Sequence, residues 1–200
     1  GLSAAGIDRM VENSHRAVEE LAVGGMDAFG YACLATSLVK GESWTGEFER
    51  WVTEATGKPA ITAANATLAA LQKIGVSRVA LATPYPDTVN DLLPALFSGA
   101  GIQIVSLKSV AVRDSLEVCR LEPFVAYRLA CDANTEDAEA VCILATDIRS
   151  IDVLGALERD LGKPAISTNQ ALLWHCLKVC SICDRIDGFG SLLAPTRSDA

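Results

Sequence analysis

The sequence predicts an α/β fold: two similar Rossmann-like lobes with parallel sheets, related by a pseudo-twofold, and an active site in the cleft between them. Three observations carry this. Short apolar runs alternate with amphipathic stretches along the chain, the pattern of strands joined by crossover helices. ATGKPAITAANATLAAL (Ala55 to Leu71) aligns without a gap on DLGKPAISTNQALLWHC (Asp160 to Cys176), with Gly57 to Ile61 recurring letter for letter at Gly162 to Ile166. Each copy follows an apolar run that breaks into polar residues, GYACLATSLVK from Gly30 in one half and VCILATDIRS from Val141 in the other.

Taken in order, residues 3–23 read as an amphipathic helix, with Ser3 as N-cap, apolar Ile7, Met10, Val11, Val18 and Leu21, and Gly24-Gly25 as the stop. MDAFGYACLA, from Met26, reads as a buried strand because it is uniformly apolar. A helix ending at Gly57, a strand at KPAIT and a helix closed by Gly75 complete the first half. The second half runs strand (from Arg78), helix (from Asp87), strand (from Ile102), helix (from Glu122) and strand (to Thr146). A helix ending at Gly162, the strand KPAIST and a helix from Gln170 follow. Pro94 falls inside its helix and is expected to kink it. We expect residues 1–76 with 177–200 to form the first lobe and 77–176 the second.

A formal net charge of −8, with no run of Lys or Arg, argues against a nucleic-acid partner. It leaves room for a small anionic substrate held by backbone N–H groups. No apolar run reaches the ~18 residues of a membrane span, and no signal peptide opens the sequence, so a cytoplasmic protein is expected, with a homo-oligomer left open. The seven cysteines are scattered, and Cys176, Cys180 and Cys183 (C-x3-C-x2-C) lack a fourth ligand nearby. They read as buried free thiols rather than a metal site. No nucleotide or hydrolase motif is present, and no cofactor or metal is expected.

Ligands of parallel sheets bind beyond the carboxyl ends of the strands. Cys33 and Ala145 both fall there, and the pseudo-twofold would set them facing each other. By residue type alone Cys33 reads as a small buried hydrophobe, but a thiolate at such a strand end would meet helix N–H groups, which makes it the candidate that the resemblance below promotes to nucleophile. Cys142 lies within its strand and reads as core. His175, beside Trp174, reads as a packed histidine, and His15 as helix surface.

YACLATS, VALATPYPDTVNDLL, ATDIRSIDVLGALERDLGKPAISTNQALLWHCL and DGFGSLL together resemble the Asp/Glu/hydantoin racemase superfamily. Within it they resemble the maleate cis–trans isomerase and arylmalonate decarboxylase branch. The resemblance implies a cofactor-independent isomerase of a small dicarboxylate, with the Cys33 thiolate adding to the alkene. It places the family's second catalytic cysteine at Ala145, which implies impaired turnover. The family's first strand and its Pro-Ser-(Ser/Thr)-Asn loop have no counterpart, because the sequence begins at the following helix. Tyr85 matches a substrate-binding tyrosine, and Ser115 stands where maleate isomerases tend to have Asn. Backbone N–H groups of Leu34, Ala35 and Thr146 are expected to cradle a carboxylate. Alternative readings are an amino-acid or hydantoin racemase, an arylmalonate decarboxylase-like enzyme using one thiol, and a non-catalytic carboxylate-binding relative.

Overall fold

A computed structural model describes residues 4–194; Ser3, read above as an N-cap, lies outside them. Its elements run α1 (Ala4–Ala22), β1 (Phe29–Tyr31), α2 (Leu34–Lys40), α3 (Glu42–Thr56), β2 (Ala60–Thr62) and α4 (Ala63–Lys73). There follow β3 (Arg78–Thr83), α5 (Asp87–Asn90), α6 (Leu93–Gly99), β4 (Gln103–Ser109), α7 (Ser115–Arg120) and α8 (Pro123–Ala133). The chain closes with β5 (Ala140–Ile143), α9 (Leu154–Leu161), β6 (Ala165–Ser167) and α10 (Thr168–Val179). Every strand pair is parallel: β1 with β2 in one sheet, and the order β4-β3-β5-β6 in the other.

The internal repeat has a direct structural expression. Gly57 and Gly162 both cap their helices in the left-handed region, at φ 69° and 64°, where only glycine sits without strain. Each hands the chain to a three-residue strand, β2 or β6, that ends in a hydroxyl N-cap. Thr62 accepts from the Asn65 N–H, and Ser167 from the Gln170 N–H, the latter within a full capping box. The two helices so started, α4 and α10, make the most extensive helix–helix packing among the described residues. Ala63, Ala66 and Ala70 of α4 and Ala171 of α10 are wholly buried, and such small side chains let helix axes approach closely. This packing joins the lobes.

Several sequence expectations need correction. The run from Met26 yields only three strand residues, and Gly30 within it is exposed rather than buried. Leu34 and Ala35 belong to a short helix, α2, which starts because Cys33 is extended (φ −144°) and stops because Gly41 turns to φ 85°. Pro94 does not kink a helix; it sits in the first turn of α6, where its missing N–H costs nothing. α7 was hidden among polar residues, and Asp114 caps it. Leu21 faces solvent on α1, whereas Ile7 and Val18 are the buried positions of that helix. Cys183 is exposed, past the end of α10, so the C-terminal thiols are not uniformly buried. No helix among the described residues is long and apolar enough to cross a membrane.

Glu49 of α3 clamps the first copy of the repeat. Its carboxylate accepts from the Thr62 N–H (2.6 Å), the Thr62 hydroxyl (2.8 Å) and the Asn65 amide (2.9 Å). Thr62 is fully buried, so removing the acceptor strands a buried N–H. Glu49→Ala is expected to cost about 1–3 kcal/mol, read as a lowered urea midpoint with unchanged slope.

Candidate active site

The carboxyl ends of β1, β3 and β5 open on one cavity of about 130 Å³, lined by Met10, Cys33, Leu34, Ala35, Tyr85, Ser115, Thr146 and Asp147. Six of the sequence-predicted residues therefore meet: Cys33, Leu34, Ala35, Tyr85, Ser115 and Thr146. Ala145 does not line the cavity. It is wholly buried just behind Thr146, at φ 92°, a strained conformation for a residue with a Cβ. Cys142 lies in the core, where burial pushes its thiol far up, and takes no part. His15 packs edge-on against Trp51 on the first lobe's surface. His175 is half-buried with no partner for Nδ1 and is held below its ordinary value by burial and Lys178. Neither histidine lines the cavity.

Cys33 stands two residues past β1, and Ala145 two past β5, so the repeat puts them in equivalent places. The Cys33 thiol is half-buried and receives a hydrogen bond from the Thr36 hydroxyl at 3.1 Å. Thr36 in turn accepts from the Tyr31 hydroxyl at 3.2 Å. Thr36 is one helical turn beyond Cys33, so α2 itself sets this contact. Burial raises the Tyr31 phenol, against the opposing pull of its hydrogen bond to Thr36, and Cys33 adds a smaller push upward.

Tyr85 is held by a network at the β3 exit. Asn90 accepts from the Thr83 hydroxyl (2.7 Å) and donates to the Tyr85 carbonyl (2.9 Å), which the Ser109 hydroxyl also binds. Backbone bonds from Val110 to Thr83 and from Val112 to Pro84 lock this turn to the end of β4. The Tyr85 side chain is buried, and its phenol is raised first by desolvation, then by Asp147 and Cys33. Across the cleft, the Thr146 hydroxyl donates to the Ala32 carbonyl (2.9 Å), and the Asn169 amide donates to the Thr146 carbonyl (3.0 Å).

Sequence reading missed Asp147, Met10, Thr36, Tyr31 and Asn90. Asp147 was within reach of the repeat, which pairs it with Ala35; Thr36 needed only the helical offset from Cys33. Met10 was read only as one of the apolar positions of α1, whereas it lines the cavity, 42% exposed. Among the described residues no lysine or arginine lines the cavity, so an anion bound there would depend on hydroxyls and N–H groups. No cluster of metal-ligating side chains exists among the described residues.

The arylmalonate decarboxylase family model matches residues 1–193. The chain belongs to that family. It is 24% identical to a maleate isomerase of Geobacillus stearothermophilus over 194 residues, 94% of this chain and 77% of that one. Its fold is similar to a cysteine-to-serine mutant of the Nocardia farcinica maleate cis–trans isomerase carrying a covalently bound succinylcysteine intermediate. That match has a TM-score of 0.91 at 25% identity, covering 98% of this chain and 82% of that one. It is equally similar to a liganded arylmalonate decarboxylase with a glycine changed to cysteine and a cysteine to serine. There the TM-score is 0.90 at 25% identity, covering 96% and 83%. The fold class and superfamily expected from the sequence hold.

Asp147 generates a test of this site's electrostatics. Burial raises its carboxyl above 3.8, against the opposing pull of its own N–H and the Ser115 hydroxyl. A raised folded value means the native state binds the proton more tightly, so stability is lost as pH climbs from about that reference value through the folded one. Asp147→Asn removes the cost: its melting temperature is expected to exceed the parent's at neutral pH and to match it in acid, below the reference value. A parent that gains no relative stability in acid would contradict this placement.

Proposed function

We propose that this chain is a cofactor-independent isomerase of a small dicarboxylate, similar to maleate cis–trans isomerase, with the Cys33 thiolate as nucleophile. One observation carries the reading: Cys33 sits at the meeting of two strand ends with a hydroxyl donating to its sulfur and a cavity in front of it. The succinylcysteine of the Nocardia farcinica relative supports covalent sulfur chemistry in this fold. The cavity suits a small substrate, and the free state of all seven cysteines suits a reducing, cytoplasmic setting.

In this mechanism one substrate carboxylate lies against the N–H groups of Leu34 and Ala35, which open α2 and lack intrahelical acceptors. Tyr85 offers its hydroxyl and Thr146 its backbone N–H to the carboxylates, since the Thr146 hydroxyl is taken by Ala32 and that of Ser115 by Asp147. Cys33 adds to one alkene carbon, and charge developing toward the adjacent carboxylate is met by donors already in place. The former double bond rotates, and expulsion of the thiolate leaves the trans acid. Ala145 supplies no sulfur, so this one thiol forms and breaks the covalent bond.

A decarboxylase-like second reading is favoured by the apolar wall of Met10, Leu34 and Ala35, which would accept an aryl group. Maleate and an arylmalonate assayed side by side separate the two.

Cys33→Ser is expected to lower maleate turnover by at least ~100-fold, equivalent to about 2.7 kcal/mol in the barrier, without unfolding the chain. Retained turnover would remove Cys33 from the mechanism. Tyr85→Phe is expected to weaken dicarboxylate binding by about 0.5–1.5 kcal/mol in calorimetry while barely moving the melting temperature. A stability loss with unchanged affinity would make Tyr85 a packing residue.

A further inference from the structure

We propose that Asp147 is the acid–base partner of Cys33, supplying from the second lobe the proton transfer that no thiol at position 145 can provide. The inference rests on the isomerase reading above and deepens it. The repeat sets Ala145, Thr146 and Asp147 opposite Cys33, Leu34 and Ala35, so Asp147 reaches the cavity from the lobe facing the nucleophile. Its loop is fixed on both sides of the cleft, since Thr146 donates to Ala32 and accepts from Asn169.

Asp147 is the one carboxyl lining the cavity, among the described residues, and no cation lines it. An ionised Asp147 would repel a substrate that carries two carboxylates. The arrangement makes sense when Asp147 meets the substrate as a carboxylic acid, a form that its burial favours. The groups that line the cavity with it are Cys33 from the β1–α2 turn, Tyr85 from the β3–α5 turn and Ser115 at the start of α7. The last two are hydroxyls that can hold either carboxyl form.

The step balances. A C–S bond forms between Cys33 Sγ and one alkene carbon, and the π pair passes to the other carbon, which takes the proton of the Asp147 carboxyl. The product is a saturated thioether of succinate beside an Asp147 carboxylate. After rotation about the new single bond, the carboxylate removes a proton from that same carbon. The π bond re-forms, the C–S bond breaks, and the thiolate and carboxylic acid return. No oxidant or reductant is required.

The test measures fumarate formation from maleate by NMR across pH for the parent chain, Asp147→Asn, Ser115→Ala and Ala145→Cys. The parent is expected to turn over, with kcat/KM falling as pH rises through the Asp147 ionisation. Asp147→Asn, nearly isosteric, is expected to lose at least ~100-fold and to lose that limb of the profile. Ser115→Ala removes a donor to the carboxylate, so it is expected to move the limb to higher pH. Asp147→Asn turnover within about threefold of the parent, or a limb that survives in it, overturns the proposal. Should Asp147→Asn fail to fold, an unmoved limb in Ser115→Ala overturns it instead. If the parent is inert while Ala145→Cys isomerises maleate, the isomerase reading stands and the role given to Asp147 is wrong. If both are inert, the isomerase reading itself falls, and this proposal with it.

Discussion

The site depends on two strands from different lobes stopping at the same place. β1 and β5 each end two residues short of the equivalent positions Cys33 and Ala145, and the Thr146 hydroxyl bridges to the Ala32 carbonyl across the gap. That single bond is worth about 0.5–1.5 kcal/mol, too little to hold two lobes together. Its importance is geometric, because it fixes the distance between the loops that carry Cys33 and Asp147. The energy comes from behind, where α4 and α10 bury their small faces against each other.

The polar groups near the cleft are arranged to hold backbone. Asn90 spends its amide on Thr83 and Tyr85, and Asn169 spends its own on Thr146. Glu49 does the same one layer back, binding the last residue of β2. Each converts a strand terminus, where the ladder's hydrogen bonds run out, into a defined turn. With cavity-lining turns fixed this way, a substrate meets donors that need little rearrangement, which is the condition for stabilising charge as it develops.

The lobes and their symmetry were legible in the sequence because the repeat encodes local rules: glycine at a left-handed cap, a hydroxyl at an N-cap, small residues on the joining helices. Cys33 and Tyr85 were legible because each follows an apolar strand. Less legible was anything that depends on a short element or on distance. α2 was expected only as N–H groups at a helix start after Cys33; its seven residues continue an apolar run, so its extent, and Thr36 with it, went unread. Met10 shares the heptad-like spacing of core positions on α1, and only tertiary packing turns it toward the cavity. Ala145 was read as facing the cleft; it is wholly buried, at φ 92°, and the next two residues, Thr146 and Asp147, line the cavity instead.

A sulfur and a carboxyl therefore line one cavity, Cys33 from the first half of the chain and Asp147 from the second. The most direct test of this account is a rapid acid quench of the chain with excess maleate, followed by peptide mapping by mass spectrometry. The account predicts a succinyl adduct on the peptide containing Cys33, formed at a rate at least equal to turnover and lost as maleate is exhausted. Turnover with no adduct on Cys33, or an adduct confined to the exposed Cys119 and Cys183, would contradict it.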